Sequence, residues 1–444
     1  MRFAIYDLRF ASVASMAALL TLVAAAFGQE TNGAAPIDLA TALRLAGAQN
    51  LDVQMARERV NEARSIYRSA VAQFFPSIAP GVGFRAHEDN IQDVAGNILD
   101  VHKHSYAPGA TLGVQLDIGD ALYKTLAAKQ RSRAAGFALT AQRQETVLAA
   151  GVGYFDLAQA QASIKVAEDA VRISSDYAGQ VERAVDAGLA LRGDLLRVRV
   201  QTERNQLNLR ERQEHQRLAS ARLAQILRLD PAVDLLASEA ELVPLALVET
   251  NAGLSSLVES AQAMRPELKE SQALVAAARE TKKGVTVGPL IPTVGAQAFF
   301  GGLGGGRSGV GDTFGAQEDY AVGLSWRIGP GGLFDADRKR IAESRLQQAE
   351  IGSTKTRIDL TRQIVEAFTR WQSAGDQMQT AQRALAAAEE GFRLAQERKE
   401  FAVGVVLETV LAEQDLTRAR FEFLRAIAGF NQAQYALSRA AGKL

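Results

Sequence analysis

The residues best suited to binding a metal ion are concentrated in one polar stretch of the chain. Three of the four histidines and three aspartates lie in or beside it: His87, His102, His104, Asp89, Asp93 and Asp100. Imidazole nitrogens and carboxylate oxygens are ligands for zinc and other transition metals. A long loop does not fix the coordination geometry that such a site needs, so we interpret the stretch as a solvated loop. The sequence predicts no bound metal and no cofactor.

The other features that resemble catalytic or ligand-binding motifs are incomplete. The chain has no cysteine, which rules out thiolate metal sites, Cys nucleophiles and a lipid-modified N-terminal cysteine. The glycine run at residues 301–311 lacks the Gly-Lys-Ser/Thr ending of a phosphate-binding loop and is interpreted as a flexible loop. No Ser/His/Asp order or carboxylate pair follows a strand in the way that catalysis requires. We therefore predict no catalytic residues and no enzymatic activity.

The charge balance and the N-terminus point to an exported protein. The 444 residues include 50 basic and 50 acidic ones, so no net charge favours a nucleic-acid partner. Arg2 and Arg9 precede an apolar run at residues 11–27 that ends in small residues, which is the pattern of a secretory signal peptide. We predict a signal peptide at residues 1–28. The alternative is a membrane-anchoring helix, but the run is shorter than the ~20 residues of a bilayer span.

Two long tracts without proline, residues 109–230 and 331–444, are where long helices can form. A proline inside a helix costs about 3 kcal/mol, so its absence over such lengths is informative. In the first tract, apolar and small residues recur roughly every 3.6 positions, which marks one buried stripe. A helix over residues 120–186 would be ~100 Å long. The second tract predicts a similar helix over residues 334–401.

Each long helix is predicted to end at a glycine-containing turn and to be followed by a returning helix. The first pattern breaks at Gly188, after which Asp194 can cap a helix that runs to about Leu227. The second breaks at Gly404 and is followed by a helix to about Ala441. The two tracts therefore predict two helical hairpins.

The chain is predicted to be a tandem duplication. Residues 39–53 align with residues 254–268, and each segment opens a helix of ~35 residues that ends just before Pro76 or Pro292. The predicted divisions are a first repeat at residues 37–230, a linker at 231–253 and a second repeat at 254–441.

Between the medium and long helices of each repeat, apolar residues alternate with small or polar ones, which indicates strands. Four strands are predicted, at about residues 77–87, 105–118, 292–301 and 318–328. The loops at residues 88–104 and 301–318 join them into two hairpins. Their length matches the ~9–11 residues of a transmembrane β-strand.

Four strands cannot close a barrel by themselves. An open sheet edge in lipid leaves backbone groups without partners, at a cost of several kcal/mol each. Other copies of the chain must then complete the wall, and three copies would supply twelve strands, more than the eight of the smallest single-chain barrels.

The duplicated order of helix, strand hairpin, long helix, glycine turn and returning helix resembles the outer membrane efflux protein family, the TolC-like channels. The resemblance covers residues 37–441. Its best local matches are the helix starts at residues 50–53 and 265–268, which resemble the family's N-P-x-L, and the turns at residues 187–189 and 403–405. It implies a mainly α fold with a β-barrel portion, in which long helical hairpins form a periplasmic α-barrel and two β-hairpins per protomer contribute to a trimeric 12-stranded outer-membrane β-barrel.

The resemblance also implies a function and partners. The chain would be the outer-membrane channel of a tripartite efflux or type I secretion system, a passive, porin-like conduit with a periplasmic extension. Its partners would be two further copies in a homotrimer, a periplasmic adaptor (membrane fusion) protein, an inner-membrane pump or secretion ATPase, and outer-membrane lipid, with no nucleic acid. The competing interpretation is an exported, non-channel helical envelope scaffold. Four lipid-length strands placed symmetrically between the helices argue against a scaffold.

In that family the two helical turns form a closed periplasmic tip, where polar contacts hold the pore shut. Asp194 occupies the position of the family's turn aspartate, but the tyrosine and arginine positions hold Phe401 and Val406, and the later aspartates fall at about Thr409 and Ala412. The family's latch therefore cannot be carried over intact. The candidate gate residues are Gly188, Asp194, Arg197, Phe401, Gly404, Glu408 and Glu413.

Charges near the turns offer a replacement for that latch. Glu408 and Glu413 would supply charge to the lumen, and Arg192 or Arg197 would pair with Asp194. The alternative is that Asp194 only caps its helix.

Overall fold

A computed structural model describes residues 35–239, 241–248, 253–307, 310–400 and 406–444. The predicted signal peptide lies outside these residues. The chain divides into two compact units, each built from three segments. The first unit takes its described residues from Met1–Ala46, Ala149–Leu245 and Gly375–Gln432, and the second from Gly47–Leu148, Ala246–Ala374 and Ala433–Leu444.

Helices account for most of the described chain. They are α1 (Leu39–Gln49), α2 (Leu51–Ala72), α3 (Ile118–Asp186), α4 (Arg192–Leu227), α5 (Leu254–Met264), α6 (Pro266–Thr286), α7 (Ala336–Glu400) and α8 (Val406–Ala440). A single 3₁₀ turn, Gly288–Leu290, follows α6. None of the helices in the described ranges has an apolar stretch long enough to cross a bilayer.

The medium helix of each repeat is broken in two, so the prediction of single helices of ~35 residues was wrong. Asn50 leaves the helical region at φ −55° and ψ 139°, and its side-chain oxygen accepts a hydrogen bond from the Asp52 N–H, which starts α2. In the second repeat Arg265 takes φ −59° and ψ 122° because Pro266 disfavours the helical conformation in the residue before it. Pro266 then occupies the first position of α6, where a missing N–H is harmless.

One sheet in the second unit contains four antiparallel strands, β2 (Ser77–His87), β5 (Lys103–Asp117), β7 (Thr293–Arg307) and β8 (Thr313–Ser325). Their order in the sheet is β2-β5-β7-β8. The sheet therefore pairs the two hairpins through β5 and β7, from Lys103 opposite Arg307 to Asp117 opposite Thr293. β2 and β8 are its outer strands.

The glycine-rich segment at residues 301–318 is mostly strand, so its interpretation as a long flexible loop was wrong. β7 continues to Arg307 and β8 begins at Thr313. A Cβ at Gly302 would lie 2.2 Å from the Phe314 ring, and one at Gly304 would lie 2.4 Å from the Tyr106 ring. The glycines thus leave room for aromatic rings that cover them, a recognised way of stabilising glycine in a sheet.

Two shorter strand pairs were not predicted. β3 (Asn90–Gln92) pairs with β4 (Ile98–Asp100) inside the polar stretch at residues 88–104, so that stretch is not all loop. β1 (Ala35–Ile37) pairs in parallel with β6 (Leu235–Ala237) in the first unit. The predicted linker at residues 231–253 therefore contains a strand.

The cores of the two units are rich in alanine. In the second unit α5 packs against α7 and the end of α8 through Leu257, Ala261, Ile364 and Leu437. In the first unit α3 packs against α4 through Tyr177, Val181, Leu195 and Val198, with Val406 and Val410 of α8 on the same cluster. Small side chains let helices approach closely, so polar groups that enter these interfaces are readily desolvated.

Candidate functional site

The first helical turn ends α3 with a backbone arrangement that requires glycine. Gly188 has φ +74°, a left-handed conformation that other residues adopt at a cost. Its N–H donates to the Val185 carbonyl at 2.9 Å, and the Leu189 N–H donates to the Ala184 carbonyl at 2.7 Å. These two bonds form a Schellman motif, which satisfies the last carbonyls of the helix.

Asp194 does not cap α4, so that prediction was wrong. The N-cap is Leu191, which has no side-chain cap bond, and Asp194 lies inside the first turn. There its negative charge interacts favourably with the helix dipole. Its carboxylate lies 3.3 Å from Nη1 of Arg197, one turn on, and the two side chains are 26% and 67% exposed. Of the two arginines predicted as partners, Arg197 is the one that pairs with Asp194.

The ends of both hairpins meet at one apolar cluster. Leu195 and Val198 of α4 pack with Tyr177 of α3, and Val406 and Val410 from the start of α8 pack against the same group. The residues just after the two turns are thereby brought together within the first unit. Sequence periodicity placed each hairpin but did not show that their ends share a core.

The second turn lies outside the described residues, and with it the candidates Phe401 and Gly404. The described residues on either side of it are linked by an ion pair. Nη1 of Arg398, near the end of α7, lies 2.8 Å from Oε1 of Glu408 in the first turn of α8. The two side chains are 57% and 34% exposed. The Arg398 guanidinium therefore pairs with the Glu408 carboxylate. Arg398 is a functional candidate that the sequence analysis did not identify.

Glu413 is buried between helices of the first unit, at 4% exposure. Its Oε1 accepts a hydrogen bond from Nδ2 of Asn205 at 3.2 Å and another from the Thr417 hydroxyl at 3.1 Å. Burial raises the pKa of Glu413, while the bonds from Thr417, Asn205 and Gln201 act in the opposite direction. This placement leaves Glu413 facing other helices of its own chain.

Asn205 lies on α4 and connects the Glu413 carboxyl, on α8, to α3. Besides its bond to Glu413, its Nδ2 donates to the Ala170 carbonyl of α3 at 3.1 Å. Its Oδ1 accepts from Gln201, one turn earlier on α4, at 3.0 Å. Gln414 in turn donates to Gln201 at 2.6 Å. Sequence analysis missed this network. The available signal was that Gln201, Thr202 and Asn205 interrupt the apolar stripe of α4 with polar residues that the structure buries.

The histidine-rich stretch is organised by ion pairs at the surface. Ligand atoms of Asp89, Asp100 and His102 lie within 4.8 Å of one another, and all three residues are exposed. Nδ1 of His102 is 3.3 Å from the Asp100 carboxylate, and Nε2 of His104 is 3.0 Å from Asp312. The expectation that no metal binds here stays a prediction.

The chain matches a protein-family model described as "Outer membrane efflux protein" over residues 42–227 and 257–443. The two matched segments cover most of its length. The chain belongs to the outer membrane efflux protein family.

This outer membrane efflux protein is similar to a protein of Bordetella pertussis and to several solved structures. It is 26% identical over 384 residues to Protein CyaE of Bordetella pertussis, covering 84% of this chain and 77% of that one. A membrane protein from Pseudomonas aeruginosa has the same fold, with a TM-score of 0.79 at 18% identity over 91% of this chain and 93% of that one. For CusC the TM-score is 0.76 at 21% identity, with 94% and 96% covered.

Family membership confirms the principal predictions. The chain is an outer-membrane channel component for efflux or secretion, with a helical extension into the periplasm. Its helical hairpins and four strands are the α-barrel and β-barrel portions of the TolC-like fold, whose channels are trimeric. The outer membrane efflux protein family is a family of conduits rather than of enzymes. The channel interpretation is thus preferred to the helical scaffold.

Proposed function

We propose that this chain works as the outer-membrane exit duct of a tripartite assembly. Three copies would pair β2 of one sheet with β8 of the next, which gives both outer strands the backbone partners that lipid cannot provide. A periplasmic adaptor and an inner-membrane pump or secretion ATPase would complete the assembly, since a passive duct supplies no energy of its own. The family assignment supports this arrangement.

We also propose that the two helical turns form the gate at the periplasmic end of the duct. The observation that carries this proposal is the shared cluster at the hairpin ends, where Leu195 and Val198 meet Val406 and Val410. Through this contact, a movement of one hairpin end is transmitted to the other. The ion pairs Asp194–Arg197 and Arg398–Glu408 then lie on the flanks of the two turns.

The exposure of these pairs suits a gate that must open. Exposed ion pairs contribute about 0–1 kcal/mol each, because water screens both charges. The pairs would therefore bias the closed state without locking it, and an adaptor that competes for Asp194 or Glu408 would release it. Removing one carboxylate should shift the equilibrium towards the open channel.

Single-channel conductance in planar bilayers tests the gate. We expect Asp194→Ala and Glu408→Gln to raise the mean conductance and lengthen the open periods relative to the unsubstituted trimer. Asp359→Ala is the matched control, because it removes an exposed aspartate that also lies near an arginine three residues on, Arg362 at 4.0 Å. If Asp194→Ala conducts like this control, Asp194 has no part in gating.

The assembly is tested by extraction. A channel requires detergent for release from the envelope and then migrates as a trimer. Release as a water-soluble monomer by osmotic shock would contradict the proposal.

A further inference from the structure

The first unit contains a buried carboxyl group whose hydrogen-bond partners are all neutral. The two donors to Oε1 of Glu413 are an amide and a hydroxyl, on Asn205 and Thr417. An isolated charge taken out of water is costly unless a counter-charge or metal ion compensates it. Among the described residues, no lysine, arginine or histidine forms an ion pair with Glu413.

Glu413 lines a cavity of about 180 Å³ between α3, α4, α7 and α8. A water molecule occupies about 30 Å³ in the liquid, so the cavity has room for several waters or for a hydrated ion. The wall beside Glu413 is formed by oxygen-bearing side chains that include Gln201, Tyr177 and Thr409. These are neutral oxygen donors of the kind that Mg²⁺ and Ca²⁺ accept beside a carboxylate.

Thr409 supplies an independent sign of a missing ligand. It lines the cavity one helical turn before Glu413 and is 5% exposed. Its hydroxyl interacts with the Tyr177 phenol, but its buried oxygen accepts no hydrogen bond from the described residues. The Tyr177 hydroxyl beside it lies 3.5 Å from the Val406 carbonyl. Buried hydroxyls are nearly always bonded to protein, water or an ion. The oxygen of Thr409 therefore points to an occupant of the cavity.

The charges around the cavity favour a positive occupant. The titratable groups that line it are Arg172, Asp176 and Tyr177 of α3 and Glu413 of α8. Arg172 is already paired with Asp169 at 3.0 Å, outside the cavity lining. The lining from α4 and α7 is Val198, Gln201, Phe392 and Gln396, which carries no charge. The carboxylates of Asp176 and Glu413 thus leave the cavity with an excess of negative charge.

We infer that this cavity binds a hard cation, Mg²⁺ or Ca²⁺, through the Glu413 carboxylate and the Thr409 hydroxyl, with retained water completing the coordination. The ion would connect α8 to the helices that close the cavity around it. The cavity shares Tyr177, Val198 and Val410 with the cluster that carries the gate proposal. Its occupancy is measured without reference to conductance, so the two proposals can fail separately.

Tb³⁺ is a suitable probe, since it replaces Ca²⁺ at oxygen sites and emits when excited through a nearby tyrosine. The purified trimer in detergent would be titrated with Tb³⁺, with excitation of tyrosine, and then with Ca²⁺ and Mg²⁺ as competitors. We expect a saturable signal that Ca²⁺ displaces. Glu413→Gln keeps the size of the side chain and an oxygen for Asn205, and should weaken binding by about tenfold or more, the loss expected for a metal-site group. Thr409→Val should give a smaller loss.

Two further variants locate the signal. Tyr177→Phe should abolish most of the Tb³⁺ emission, because the sensitising phenol is removed, while calorimetry should still detect saturable binding of Ca²⁺. Asp100→Asn removes a carboxylate from the exposed group at residues 89, 100 and 102. It should leave unchanged the part of the Tb³⁺ emission that Ca²⁺ displaces. The inference is overturned if Glu413→Gln, folded and trimeric by circular dichroism and gel mobility, binds Ca²⁺ like the unsubstituted protein. It is equally overturned if the signal follows Asp100 and not Glu413.

Discussion

Arg265 is the most deeply buried charged residue described, and its removal gives the sharpest stability prediction. Its side chain is 1% exposed. Nε and Nη2 each lie 2.9 Å from a carboxylate oxygen of Glu267, and Nη1 donates to the Ala440 carbonyl at 3.2 Å. The bidentate pair and the carbonyl contact tie the break between α5 and α6 to the end of α8.

Arg265→Met replaces the guanidinium with an apolar side chain and leaves the Glu267 carboxylate without its main partner. Removing one member of a buried ion pair costs about 3–5 kcal/mol. Glu267 keeps a second contact, Nη2 of Arg439 at 2.9 Å, so we expect the lower value, about 3 kcal/mol. For a unit of this size each kcal/mol shifts the melting temperature by about 2–4 °C, which gives a fall of about 6–12 °C.

Thermal unfolding of the detergent-solubilised trimer, followed by circular dichroism, is the assay. Arg279→Met is the matched control, because Arg279 forms an exposed pair with Glu350 at 3.0 Å, which should contribute about 1 kcal/mol or less. Arg265→Met with Glu267→Leu should recover part of the loss, since a buried pair can be replaced by apolar residues at little cost. A melting temperature for Arg265→Met no lower than that of the control would refute the reasoning. If Arg265→Met fails to assemble, Arg265→Lys, which keeps the charge and loses the fork, should show a smaller loss.

The pH dependence provides a second check on the same pair. Burial acts to raise the pKa of Glu267, but the hydrogen bonds and charge of Arg265, with Arg439, prevail and lower it. A carboxyl whose pKa is lowered by folding contributes stability above its unfolded pKa, near 4.5, and that contribution is lost as the pH falls through the folded value. The difference in melting temperature between Arg265→Met and the unsubstituted protein should therefore be larger at neutral pH than in acid. An equal difference at both would show that the ion pair is not its cause.

Two further predictions concern the sheet and the buried carboxyl. Gly304→Ala should reduce the yield of folded trimer, because its Cβ would meet the Tyr106 ring at 2.4 Å, whereas Gly315→Ala, with open space around it, should be tolerated; equal yields on gels would contradict the packing argument. Burial raises the pKa of Glu413, so its contribution to stability should be full below about pH 4.5 and decline as the pH rises through the elevated value. In cation-free buffer Glu413→Gln should remove this decline from the melting curves, and an unchanged pH profile would show that Glu413 is not its source.

The parts of the fold that follow a repeating pattern were predictable. Period-two alternation located the four sheet strands, and the proline-free tracts located α3 and α7, because these signals are carried by many residues at once. The extension of β7 to Arg307 was not predictable, because glycines have no side chains and so show no alternation of apolar and polar residues. Their strand conformation depends on rings from Tyr106 and Phe314, which come from neighbouring strands.

The candidate site was less predictable because its contacts join distant segments. The Asp194–Arg197 pair is local and could be anticipated. The cap was assigned three positions too late, because the helix begins at Arg192 with Leu191 as its N-cap. The contact between Asn205 and Glu413 joins residues 208 positions apart. No local pattern reports such a pair until the helices have been packed.

The buried polar residues fix the alignment of neighbouring helices, which an alanine-rich core cannot fix alone. Similar small side chains along a helix permit several alignments with nearly equal apolar contact, whereas a buried polar group is satisfied in only one. Asn431 of α8 is an example, since it is fully buried. Its side chain accepts a hydrogen bond from the Leu245 N–H at 2.8 Å and donates one to the Val243 carbonyl at 2.9 Å, in the segment before α5. A shift of α8 by one turn would break both bonds. Asn205 in the first unit and Arg265 in the second act in the same way, so we expect substitutions at these positions to change helix register and trimer assembly before they change helix content.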